Sequence, residues 1–95
     1  MQGKKIYIAG KIAGFDGYKE KFEAAEKRLL DMGALPMNPA VLPPGYKQAE
    51  YLHICFAMIE VCGAVYFLNN WEDSPGALME YGYAKASQKE IYFQE

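Results

Sequence analysis

Residues 62–93 read CGAVYFLNNWEDSPGALMEYGYAKASQKEIYF, and the order of signals in this stretch decides the fold. The apolar run Ala64-Val65-Tyr66-Phe67-Leu68 has the length and β-rich make-up of a buried strand. A polar turn follows, Asn69 to Asp73. Ser74-Pro75-Gly76 then marks a helix start, because Ser is a good N-cap and Pro suits the first helical position. Past its first turn that helix carries a single acid, Glu80. Its neighbours three and four residues away include Gly76, Ala77 and Ala84, which are small enough to leave space beside a carboxylate. A second strand, Glu90 to Phe93, completes a strand–helix–strand crossover. Ligands of such units bind where strand C-termini meet helix N-termini, one turn from Glu80.

The bulk numbers narrow the classes. Ninety-five residues, 52 % of them hydrophobic, make a single domain over residues 1–95 with enough apolar material for one core. A net charge of −2 argues against a nucleic-acid partner, which would favour a basic face. No apolar run approaches the roughly 20 residues of a membrane span. Met1-Gln2-Gly3-Lys4-Lys5 leads straight into a strand, so no leader peptide is expected. Cys55 and Cys62 read as lying on one helix, seven residues and roughly 10 Å apart, too far for a disulfide. With one histidine in the chain, a Cys/His metal site is not expected either. A reduced, cytoplasmic protein is the expectation, without metal or cofactor.

Upstream, Lys5 to Ala9 (KIYIA) predicts a central strand, followed by the loop Gly10-Lys11-Ile12-Ala13-Gly14-Phe15. Glycines just past a strand permit close backbone approach to a ligand, although this spacing is not the dinucleotide fingerprint. Asp16 is the expected cap of a helix whose apolar stripe is Tyr18, Phe22, Ala25 and Leu29, with Gly33 as its stop. Ala34 to Met37 predicts a short strand, broken by Asn38-Pro39. The loop from Pro39 to Tyr46, with Pro43-Pro44-Gly45, either covers the crevice or merely connects. A helix from about Gln48 to Val61 presents Leu52, Cys55, Phe56 and Ile59 to the core.

Four strands and three helices thus alternate strictly. That pattern predicts a flavodoxin/Rossmann-like α/β three-layer sandwich: a four-stranded parallel sheet in the order 2-1-3-4, with helices on both faces. The switch point falls between the first and third strands. There the Gly10–Gly14 loop and the Asn69–Ser74 loop converge.

Three segments, KIYIAGKIAG, NPAVLPPG and VYFLNNWEDSPGALMEYGYAKASQK, together resemble the nucleoside 2-deoxyribosyltransferase superfamily, in particular its small, functionally unassigned bacterial and phage members. The last segment is the specific one: Ser, then Gly, then Glu four residues on, followed by Gly-Tyr-Ala. The resemblance implies cleavage or transfer of the N-glycosidic bond of a 2′-deoxynucleoside or its 5′-monophosphate. Glu80 matches the nucleophile that attacks C1′ to give a covalent deoxyribosyl-enzyme, and Tyr7 matches a strand tyrosine that orients it. Ser74 and Gly76 match positions near the sugar or its 5′ side. Gly10, Lys11 and Asp73, in the two converging loops, complete the expected substrate-binding set. A 5′-phosphate there would gain from free N–H groups and the positive helix end. The resemblance also implies a homodimer or higher homo-oligomer. So does the number of aromatics at Tyr51, Phe56, Tyr81, Tyr83 and Tyr92, more than so small a core readily hides.

Two positions depart from the superfamily pattern. Relatives carry acids where this chain has Cys55 and Gly63. Loss of a proton donor to the leaving base removes general-acid assistance worth roughly 10²–10⁴-fold. Glu72 and Asp73 are the loop acids placed to substitute. A catalytically impaired nucleotide-binding module of the same fold is therefore the alternative, with a flavodoxin-like mononucleotide binder behind it. For Trp71 the expectation is packing on its own protein, for His53 a surface position, and for Cys55 a small core filler.

Overall fold

The computed structural model describes residues 2–95. In chain order the elements are β1 (Lys5–Ala9), α1 (Tyr18–Asp31), β2 (Leu35–Met37), α2 (Gln48–Glu60), β3 (Ala64–Phe67), α3 (Pro75–Ala86) and β4 (Glu90–Phe93). Short 3-10 turns at Pro39–Val41 and Trp71–Asp73 precede α2 and α3. The four strands form one sheet in the order β2-β1-β3-β4, every neighbouring pair parallel. Tyr7 pairs with Val65, and Val65 with Ile91.

The alternation along β1 divides the core in two. Ile6 and Ile8 point to one face, where they pack with Phe22, Ala25 and Leu29 of α1. Tyr7 and Ala9 point to the other, with Cys55 and Ile59 of α2 and Ala84 of α3. Parallel sheets need both faces covered, and β1 and β3 read as unbroken apolar runs for that reason. Fully buried Phe22 and Leu29 each contribute about 1.5–3 kcal/mol relative to exposure. The three-layer sandwich and its strand order match the sequence reading, while the one core expected from composition is split by the sheet into two clusters.

Several local details differ from it. Asp16 does not cap α1: the N-cap is Gly17, with no side-chain hydrogen bond. Two consecutive backbone turns, Phe15 N–H to the Ile12 carbonyl and Tyr18 N–H to the Phe15 carbonyl, lead the chain into the helix instead. Cys62 lies beyond α2, which ends at Glu60, so the two free cysteines do not share a helix. Gly33 does end α1, in the left-handed conformation at φ +85°. Gln88 does the same after α3 at φ +58°, a position where Gly would be unstrained. The aromatics expected at the surface are partly buried within their own chain. Phe56 stacks on Tyr83 at 4.5 Å and Tyr81 on Trp71 at 5.0 Å. Trp71 thus packs on its own protein, and His53 is exposed. Among the described residues, no helix is long and apolar enough to cross a membrane.

Candidate active site

α3 begins as its sequence dictates. The Ser74 hydroxyl accepts from the Ala77 N–H at 3.1 Å and Pro75 occupies the first turn. One turn further on, the inward side of α3 carries Ala77, Glu80 and Ala84, all buried. Glu80 is only 6 % exposed and is the single buried charged side chain among the described residues. From the sheet beneath, the Tyr7 hydroxyl donates to Glu80 Oε2 at 2.6 Å. Tyr7 reaches it because the β1 alternation turns residue 7 toward α2 and α3.

Burial raises the Glu80 pKa from 4.5 to about 7. The Tyr7 hydrogen bond, and after it the Cys55 thiol, oppose that rise by favouring the carboxylate. Burial likewise pushes the Cys55 thiol up to about 11 and the Tyr7 hydroxyl well above its ordinary value, with the Glu80 charge adding to both. At neutral pH these two neighbours therefore keep their protons, and Glu80 is the group that titrates.

Glu80, Tyr7 and Cys55 lie on the wall of a cavity of about 580 Å³. It opens at the C-terminal edge of the sheet. Its lining includes Gly10, Ile12 and Ala13 from the loop after β1, Ser74, Pro75 and Gly76 at the start of α3, and Pro39, Leu42, Pro44 and Tyr46 from the segment before α2. Gly10 is required by close packing: a Cβ there would stand 2.8 Å from Leu68 Cδ1. The loop from Pro39 to Tyr46 is thus part of the site and more than a connector. Tyr51 holds it down, donating its hydroxyl to the Pro43 carbonyl at 2.6 Å and accepting from the Tyr46 N–H at 3.2 Å. Gly45, at φ +99°, provides the turn this path requires. A second depression of about 640 Å³, between α1 and residues 38–44, carries the exposed charges Lys19, Glu23 and Lys27 and no buried titratable group.

Of the residues singled out from sequence, the fold brings Tyr7, Gly10, Ser74, Gly76 and Glu80 together around this cavity. Lys11 and Asp73 are placed outside its wall. The Lys11 backbone N–H donates to Asn70 Oδ1 at 3.1 Å, tying the two converging loops together, while Asp73 is exposed in its 3-10 turn. Glu72, also exposed, is likewise not in the wall. Of the two departures only Cys55 lies at the site. Gly63 precedes β3, its N–H bound to the Lys5 carbonyl at 3.0 Å, at the opposite end of the sheet from the cavity. The sequence reading had Tyr46 only as the end of a loop that could cover the crevice, Tyr51 only among the surplus aromatics and Gln48 only as a helix start, and gave none of them a place in the site.

A family described as a domain of unknown function, DUF4406, matches residues 4–93. The chain belongs to this family. The match spans every strand and helix of the DUF4406 domain seen here, including both loops that carry the cavity. A search of the curated proteins found no match. Among solved structures, the 2-desoxiribosyltransferase from Leishmania mexicana superposes with a TM-score of 0.74 at 22 % sequence identity, covering 95 % of this chain and 63 % of that one. At that identity the likeness shows a shared fold, of deoxyribosyltransferase type. This DUF4406 chain spans somewhat under two thirds of that enzyme's length.

Proposed function

We propose that this protein cleaves the N-glycosidic bond of a 2′-deoxynucleoside or its 5′-monophosphate, with Glu80 as nucleophile. The observation that carries the reading is a buried carboxylate, oriented by Tyr7 at 2.6 Å, in the wall of a cavity sized for a small molecule. The fold of the Leishmania mexicana enzyme supports it.

In this reading the ionised Glu80 oxygen attacks C1′ as the C1′–N bond breaks, and the bonding pair leaves with the base. The developing positive charge at C1′ is stabilised and then captured by the carboxylate, as in retaining glycosidases. A second base or a water then attacks C1′ and returns Glu80 to its carboxylate form, which separates transferase from hydrolase. Tyr7, hydrogen-bonded to one carboxylate oxygen, leaves the other for the sugar. Ser74 and Gly76 line the side where the sugar would lie.

One observation favours the alternative, a binding module with reduced chemistry. Glu80 is the only carboxylic acid in the cavity wall among the described residues, and Cys55, which stays a thiol, stands nearby. The base then takes its proton from water at the mouth, beside exposed Tyr46 and Gln48, without a dedicated acid. A slow enzyme follows, lacking the roughly 10²–10⁴-fold of general-acid assistance.

Chromatography of free base, after incubation with deoxynucleosides and their monophosphates, tests the proposal. Release that increases with protein concentration supports it, and dependence on an added acceptor base identifies a transferase. Binding without release from any substrate favours the module.

A further inference from the structure

We infer that the cavity takes an uncharged nucleoside and discriminates against its 5′-phosphate, with the Gln48 side-chain amide as the polar contact at its mouth. The inference rests on the deoxynucleoside reading of the site and selects between the two substrate forms left open there.

Charge is the first argument. Among the described residues no Lys, Arg or His lines the cavity. The nearest candidates in the sequence, Lys11 and Lys47, both lie outside the wall. The active form of Glu80 is itself an anion within the cavity, and in a low-dielectric wall a second anion is repelled.

The helix end supplies the second. The start of α3 is where a phosphate would ordinarily find free N–H groups. Here Pro75 has none, Ala77 N–H donates to Ser74 Oγ at 3.1 Å, and Leu78 N–H donates to the Ser74 carbonyl at 2.9 Å. In the first turn only the Gly76 N–H is left to face a ligand, so the cradle expected from sequence is largely used up by the helix's own cap.

Gln48 stands beside it. Its Nε2 is 2.9 Å from the position a Cβ on Gly76 would take. The bare Gly76 Cα is what allows the amide to sit at the cavity mouth. That amide, exposed at the start of α2, offers one donor group and one acceptor, without charge. Such a group matches a sugar hydroxyl or a base edge, whereas to a phosphate it offers a hydrogen bond without the charge that would offset the phosphate's own.

Two measurements on the whole protein test this. In wild type, kcat/KM for base release is compared between each 2′-deoxynucleoside and its 5′-monophosphate. In Glu80→Gln, which keeps the cavity shape, Kd for the same pairs is measured by calorimetry. The expected preference for the nucleoside is about 100-fold in wild type and roughly tenfold in Glu80→Gln, where the like charge is gone. Gln48→Lys, at an exposed first-turn position, is expected to narrow the wild-type ratio about tenfold. Equal or better turnover of the monophosphate overturns the inference and leaves the enzyme intact. Preferential nucleoside binding without turnover sustains the inference and overturns the enzyme. Binding of neither class overturns both.

Discussion

Replacing Glu80 with Gln should change stability in a pH-dependent way whose sign follows from the burial of the carboxylate. The folded-state pKa of about 7 lies above the ordinary 4.5 because the carboxylate is buried. Folding therefore takes up a proton between these values. The stability linked to that proton is fully present below pH 4.5 and is lost as pH rises toward 7. The displacement corresponds to about 3 kcal/mol, a large share of a small domain's total stability. Gln is close in shape, can still accept from the Tyr7 hydroxyl, and does not ionise. Urea unfolding of both proteins at pH 5 and pH 8 reads the difference. The Glu80→Gln variant should gain steadily on wild type with rising pH, ending about 3 kcal/mol better placed, or roughly 10–20 °C in Tm for a chain of this length. A wild-type to variant difference that stays constant across the range would refute the assignment of a desolvated, titrating carboxylate at this position.

Base release should rise about tenfold per pH unit below 7 and level off above 8, because the nucleophile must be ionised. Tyr7→Phe removes the 2.6 Å bond to Glu80, so the midpoint of that profile should move upward and the rate at pH 7 fall roughly tenfold. Gly10→Ala should destabilise by about 1–3 kcal/mol, since its Cβ would meet Leu68 Cδ1 at 2.8 Å and Leu68 Cβ at 3.0 Å. Gly76→Ala crowds the movable end of Gln48 and touches Ser74 Oγ only at an ordinary 3.8 Å, so denaturation should register little while ligand Kd weakens about tenfold. Gln88→Gly relieves a left-handed residue at φ +58° and should add about 1 kcal/mol in urea unfolding.

Much of this was legible from residue order alone. The runs at Lys5–Ala9 and Ala64–Phe67 were long enough, and apolar enough on both faces, to demand a covered parallel sheet. Ser74-Pro75 fixed the start of α3, and with it the depth of Glu80 below the crevice. Less legible was anything set by contacts between distant segments. The bond between Tyr7 and Glu80 joins residues 73 apart in sequence, and only the resemblance suggested it. Gln48 reads as an ordinary helix start until Gly76 is placed beside it. The superfamily acid at the Gly63 position looked relevant to chemistry only through the resemblance, since a residue just before β3 lies at the N-terminal end of that strand, away from the cavity. Asp16 looked like a cap, but the two backbone turns through Phe15 moved the helix start past it.

The central claim is that Glu80 makes and breaks the bond to C1′. Its most direct test is the rate of base release from a 2′-deoxynucleoside by wild type and by Glu80→Gln at pH 8, with folding of both checked by circular dichroism. Release by wild type that is reduced at least about a thousandfold in the variant is the predicted result. Release that continues undiminished in Glu80→Gln would contradict the claim and place the chemistry on another group.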